Sequence, residues 1–135
     1  MKTLFFFLIP CFPFFSQIDA SNLHFNTLIS VVYGDLNQDN IPDIAMVTQD
    51  TLNENAPYRL EIFFTQENGD KKLIVRTDKA IEAQFPNGRE QHIWGNGFDK
   101  LSIQKGVLWI ENELIRGHFE HKFRYQNNQF ELIGY

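Results

Sequence analysis

Four oxygen-bearing side chains lie close together within one short polar stretch of the chain. They are Asp35, Asn37, Asp39 and Asp43, at positions 1, 3, 5 and 9 counted from Asp35. Carboxylate and amide oxygens at this spacing are the ligands with which acidic loops wrap hard cations. Three carboxylates in so short a loop repel one another, and a divalent cation removes that repulsion. The spacing therefore predicts a calcium site, with the backbone carbonyl of Ile41 and water completing the shell.

The elements that flank this loop exclude an EF-hand, the best-known acidic calcium loop. An EF-hand requires a bidentate acid at position 12 and a helix on each side. Position 12 is Met46, and the apolar, β-branched runs at 29–33 and 44–48 predict strands on both sides. A turn that binds no metal remains the alternative, because Asp and Asn side chains also hydrogen-bond the local backbone.

The same stretch resembles the calcium loops of FG-GAP and VCBS repeats, which usually read GD-x-[DN]-x-D-G-x-x-D. Gly34 and Asp35 begin the match, Asp43 ends it, and Asn40 stands where glycine is usual. This departure is mild, because Asn is the residue other than glycine that best tolerates a left-handed backbone. The resemblance covers about twenty residues and implies a bound calcium ion. A single copy cannot form a propeller, so we expect the loop to belong to a small sandwich or curved sheet.

The rest of the chain is typical of an antiparallel β protein with few or no helices. Period-two alternation between turn residues predicts eight strands, at 28–33, 44–48, 59–65, 73–77, 101–104, 107–111, 119–125 and 129–134. Asn68-Gly69, Lys105-Gly106 and Asn127-Asn128 predict hairpin turns. Residues 80–85 fit either a short strand or one helical turn. The region 101–135 is similar to the C-terminal part of small bacterial periplasmic proteins, a likeness that implies no activity.

The alternation also predicts which side chains face the core. The inward set is Leu60, Ile62, Phe64, Leu101, Ile103, Phe119, Phe123, Phe130 and Leu132. His121 falls on the same face as Phe123, whereas His118 falls on the opposite face. A transition-metal site at these histidines would need a third ligand, so we interpret both as strand residues.

The N-terminus predicts a secretory signal peptide over residues 1–20. Lys2 precedes an almost unbroken apolar run with two prolines, which is too short for a membrane span, and Ala20 ends a polar exit. Cleavage near Ala20 leaves residues 21–135 as one domain and removes the only cysteine, Cys11. We therefore expect a periplasmic or secreted protein without disulfides.

Composition disfavours several functions. The net charge of −5 is mixed along the chain, with no basic stripe for nucleic acid and no basic amphipathic helix for a membrane surface. No motif of a hydrolase, metalloprotease or phosphate-binding loop is present. The residues closest to a catalytic set are Glu111, Glu113 and His118. A polar face of the sheet accounts for their presence more simply than catalysis does. We interpret the chain as non-enzymatic.

Residues 86–97 form the longest irregular stretch and place Arg89, His92 and Trp94 among glycines. Trp and Arg on loops are frequent anchors of protein interfaces, so these residues are a candidate partner-binding surface. The alternative is that Ile93 and Trp94 fold back and cover one end of the sheet.

The sequence leaves two candidate functions. One is a calcium-stabilised exported binding or structural domain, and the other is an immunity or inhibitor protein for a periplasmic toxin or hydrolase.

Overall fold

The structure is a computed structural model that describes residues 24–91 and 96–135. These residues form eight strands and one 3₁₀ helix, with no α-helix in either range. The elements are β1 (Thr27–Gly34), β2 (Asp43–Gln49), β3 (Tyr58–Thr65), β4 (Lys71–Thr77), the 3₁₀ helix (Arg89–Gln91), β5 (Gly97–Gln104), β6 (Val107–Leu114), β7 (Gly117–Gln126) and β8 (Gln129–Gly134). No helix in the described ranges is long and apolar enough to cross a membrane.

The strands make two antiparallel four-stranded sheets, in the orders β1-β2-β3-β4 and β5-β6-β7-β8. Each strand pairs with its neighbour in sequence, because every connection within a sheet is a hairpin or a short loop. The fold class predicted from the sequence, an antiparallel meander of hairpins forming a small sandwich, is confirmed.

The core lies between the two sheets, where the period-two pattern places apolar side chains. Ala45, Val47 and Ile62 of the first sheet and Leu108 and Ile110 of the second are at most 1% exposed. Phe64 joins the layers, since its ring centroid lies 4.9 Å from that of Tyr125 and 6.1 Å from that of Phe130. Burial of these side chains is the main stabilising contribution in a domain without disulfides.

The sheets approach each other most closely where β5 meets β1 and β2. A Cβ atom at Gly34 would lie 2.6 Å from Cγ2 of Ile103, so glycine is required at the end of β1 for this close approach. The glycine that precedes the acidic loop therefore fixes where the loop sits against the second sheet.

The residues predicted to face inward are buried or half-buried except for Leu132, which lies on the inward face but is exposed. Leu60, Ile62, Phe64 and Leu101 are buried; Ile103, Phe119, Phe123 and Phe130 are half-buried. Leu132 pairs with Phe123 but is 49% exposed, because β8 is an edge strand with no neighbour beyond it.

Several boundaries also differ from the prediction. β5 begins at Gly97, before the predicted start at Leu101. The prediction misses these residues because a bulge between Phe98 and Lys100 breaks the alternation on which it relies. Residues 80–85 are irregular, and Ile81 is only 4% exposed and belongs to the core. The 3₁₀ helix lies within the stretch predicted to be irregular.

Candidate metal site in the β1–β2 loop

The acidic loop connects two paired strand ends. Gly34, the last residue of β1, lies opposite Asp43, the first residue of β2. Residues 35–42 therefore reverse the direction of the chain between two paired strand ends. Such tight closure requires left-handed backbone, which Gln38 and Asn40 adopt with φ of 65° and 64°. Asn40 suits this conformation, whereas nothing in the sequence marks Gln38 for it.

The loop brings three carboxyl groups together. One carboxylate oxygen each from Asp35, Asp39 and Asp43 lie within 4.8 Å of one another. Among residues 24–91 and 96–135 this is the one group of three acidic, His or Cys side chains close enough to share an ion. Mutual repulsion at this distance is what a bound cation would relieve.

Asp35 and Asp39 also organise the loop backbone. Oδ1 of Asp35 accepts hydrogen bonds from the backbone N–H groups of Gln38 (2.8 Å) and Asp39 (3.3 Å), and its Oδ2 accepts one from Asn40 (2.7 Å). Oδ1 of Asp39 accepts one from the N–H of Ile41 at 2.9 Å. These contacts form the turn that the metal-free alternative requires, and they are equally compatible with a loop preorganised for an ion.

Asp43 anchors the loop to the sandwich. It is fully buried, and its two oxygens accept hydrogen bonds from the N–H of Leu36 at 2.8 Å and the N–H of Thr65, the last residue of β3, at 2.9 Å. Burial raises the pKa of Asp43 above its usual value, the two backbone hydrogen bonds oppose that rise, and the nearby charges of Asp39 and Asp35 add to it. An ion beside this carboxylate would favour its charged form.

Asn37 supplies an observation that the hydrogen-bonded turn does not explain. Its side-chain Oδ1 is buried and has no hydrogen-bond partner among the described residues. Leaving a buried carbonyl oxygen unpaired is unfavourable, so this atom requires a ligand or water. Asn37 occupies position 3 of the predicted ligand set.

The acceptor sites that remain are sufficient for a hard cation. A carboxylate offers about four lone-pair sites, so three accepted bonds at Asp35, two at Asp43 and one at Asp39 leave capacity on all three side chains. Together with Asn37 this is an all-oxygen donor set, the type that Ca²⁺ takes and that thiophilic metals do not prefer. The residues present therefore fit calcium.

Two residues that support the site had no signal in the sequence. Thr65 binds Asp43 from 22 residues away along the chain. Leu36, between two predicted ligands, is 1% exposed and belongs to the core. The pattern of polar residues in the loop indicates neither contact, because the first depends on the pairing of β2 with β3 and the second on the packing of the core.

The predicted partner-binding residues are only partly described. His92 and Trp94 lie outside the described residues. The Arg89 guanidinium donates hydrogen bonds to the backbone carbonyls of Thr51 and Asn53, and its Cζ lies 4.9 Å from the Phe85 ring centroid. Arg89 thus holds the irregular segment against the β2–β3 loop.

The three catalytic candidates lie on two neighbouring strands of the second sheet. Glu113 and His118 are exposed and lie opposite each other on β6 and β7, while Glu111 lies opposite Glu120. Exposed cross-strand pairs of this kind are common in antiparallel sheets.

Comparisons with protein-family models, curated proteins and solved structures find no match for this chain.

Proposed function

We propose that this chain is a small exported, non-enzymatic β-sandwich module whose β1–β2 loop binds one calcium ion that stabilises the fold. The ligands are the side chains of Asp35, Asn37, Asp39 and Asp43, with the carbonyl of Ile41. The observation that carries the proposal is the buried, unpartnered Oδ1 of Asn37 in the loop where three carboxylates converge within 4.8 Å. The resemblance of residues 34–43 to FG-GAP and VCBS calcium loops supports the same ligand.

The position of the loop gives the ion a structural role. Leu36 packs in the core between two ligand positions, and Asp43 holds the end of β3. An ion that fixes the loop therefore also fixes a core side chain and a contact between β2 and β3. Three acids and one amide without a bidentate glutamate correspond to weak binding, suited to extracellular rather than cytosolic calcium levels.

Calcium is expected to raise the melting temperature of chelator-treated protein. At a hundredfold excess of calcium over Kd, binding adds about 2.7 kcal/mol to the free energy of unfolding. In a domain of this size that gain shifts the melting temperature by about 10 °C. Magnesium is expected to do much less, because it prefers a smaller octahedral shell and keeps its water.

A matched pair of variants assigns the effect to the loop. Asp39→Ala removes a ligand and is expected to abolish the calcium response, while metal-free stability changes little because repulsion in the loop also falls. Asp99→Ala removes the same charge from an exposed position on β5 and should retain the response. Identical melting of wild-type protein with and without millimolar calcium would show that the loop is only a turn.

A second function, that of a protein-binding module such as an immunity or inhibitor protein, is favoured by one feature. Tyr33, Ile44, Phe63 and Leu73 lie side by side across β1–β4 on the face directed away from the core. Tyr33 is 67% exposed and Leu73 is 40% exposed, and apolar rows of this kind often mark interfaces. Inhibition of a secreted enzyme encoded beside this chain, lost on Tyr33→Lys and independent of calcium, would select this function.

A further inference from the structure

A cavity lies at one end of the second sheet, where the irregular segment 82–87 meets the start of β5, the end of β6 and the start of β7. It has a volume of about 300 Å³. Its apolar wall is formed by Ala83, Pro86, Leu114 and Phe119. A wall of this kind holds the apolar part of a ligand, and the polar groups beside it select which ligand binds.

The charged side chains that line this cavity are both acidic. They belong to Glu82 and Glu113, and no Lys, Arg or His is part of the lining. Both are exposed, and neither forms a hydrogen bond or ion pair with another residue in the described ranges. Because no cation of the protein neutralises the two carboxylates, they attract a cation from solution.

Backbone carbonyl groups add hydrogen-bond acceptors beside Gly97, which lies opposite Glu113 and also lines the cavity. A Cβ atom at Gly97, which has φ of 76°, would lie 2.8 Å from the carbonyl oxygen of Glu82 and 3.2 Å from that of Ala83. Neither oxygen accepts a hydrogen bond from any residue that the structure describes. Carboxylate and carbonyl acceptors at one site suit a ligand that donates several hydrogen bonds, as an ammonium group does.

A metal ion fits this cavity less well than an organic cation. Within residues 24–91 and 96–135, the one group of three acidic, His or Cys side chains close enough to share an ion lies in the β1–β2 loop. Calcium takes six to eight oxygen ligands, which two carboxylates and an apolar wall do not supply.

We propose that this cavity binds a small organic cation that carries an ammonium group on an apolar body. The ammonium group lies at Glu82 and Glu113, and the body lies against Leu114 and Phe119. A volume of about 300 Å³ is at the lower limit for ligand pockets, so the ligand is a small molecule. The site shares no residue with the calcium loop and does not depend on it.

An NMR titration of the wild-type protein with 2-phenylethylamine tests the proposal. Saturable shifts are expected at the backbone amides of Gly97 and Leu114. 3-Phenylpropanoate has a similar body but carries a carboxylate, so it should bind about tenfold more weakly. The affinity for the amine should fall as salt is added. No saturable shift at these amides, or equal affinity for the two compounds, would overturn the proposal.

Charge-removing variants locate the ammonium group. Glu82→Gln and Glu113→Gln should each weaken 2-phenylethylamine binding about threefold, because each removes one exposed carboxylate charge. Glu67→Gln removes the same charge from an exposed position in the β3–β4 turn and should bind as wild type. Equal affinity of all three variants and the wild type would overturn the role of Glu82 and Glu113.

A truncated wall locates the apolar body. Leu114 is 41% exposed, so Leu114→Ala should fold normally and bind 2-phenylethylamine about threefold more weakly. Its effect on methylamine, which has almost no apolar body, should be negligible. Leu52→Ala makes the same change at a residue that is 88% exposed and outside the lining, and it should bind as wild type. Unchanged binding of 2-phenylethylamine by folded Leu114→Ala would place the body elsewhere and overturn the proposed site.

Discussion

Asp43 is a buried carboxylate, and each of its two oxygens accepts a hydrogen bond from a backbone N–H group. Asp43→Asn should lower the free energy of unfolding of the metal-free protein by about 1–3 kcal/mol, because the amide would turn a donor toward the N–H of Leu36 or Thr65. Asp39→Asn, at an exposed position, should change it by no more than about 0.5 kcal/mol. Urea denaturation measures both, and equal losses would contradict the anchoring role of Asp43.

Asn112 is a second buried amide that lacks hydrogen-bond partners. It is 1% exposed, and neither Oδ1 nor Nδ2 has a hydrogen-bond partner in residues 24–91 or 96–135. Asn112→Leu, which keeps the branching of the side chain and removes its polar atoms, should raise the free energy of unfolding by about 1–3 kcal/mol because the desolvation penalty disappears. Asn112→Asp should lower it, since the change adds an unpaired charge. A loss of stability in Asn112→Leu would show that water already satisfies the amide.

Among the elements, the β5–β6 hairpin contains a residue that is poorly suited to its backbone. Lys105 and Gly106 form a two-residue turn with φ of 50° and 75°, a conformation that favours Asn-Gly. Lys105→Asn should add about 0.5–1 kcal/mol to the free energy of unfolding and raise the melting temperature by about 3 °C. Lys105→Ala removes the same charge without easing the backbone, so it should show no gain. Thermal denaturation by circular dichroism compares the two.

The elements themselves could be predicted from sequence because their signals are local. Turn pairs such as Asn127-Asn128, both with positive φ, bound strands whose alternation is visible in the residues. The bulge at Phe98 and the exposure of Leu132 could not be predicted, since one breaks the period and the other depends on sheet order. In the loop, the spacing of the acids was sufficient to place them together, whereas the anchor at Thr65 required the fold.

At the scale of the whole molecule, the proposed export predicts where the N-terminus of the mature protein lies. Protein recovered from the periplasm or medium should begin at or within a few residues of Ser21 and carry no lipid, because residues 1–20 have the pattern of a cleaved signal peptide. Intact-mass spectrometry measures this, with protein expressed from Ser21 as the mass standard. A diacylated Cys11 as first residue would overturn both the predicted cleavage site and the prediction that the mature protein carries no lipid.

The order of strands within each sheet has a consequence for how the chain folds. Every hydrogen-bonded strand pair joins neighbours in sequence, so each ladder closes only a short loop and costs little chain entropy. The long-range step is the docking of one meander on the other, and in the folded protein the two are in close contact where Gly34 lies against Ile103. Topologies rich in local contacts fold faster than other β arrangements. During synthesis the first sheet can therefore form while the second is still emerging, and the apolar inner face of β1–β4 stays exposed until the second sheet docks on it.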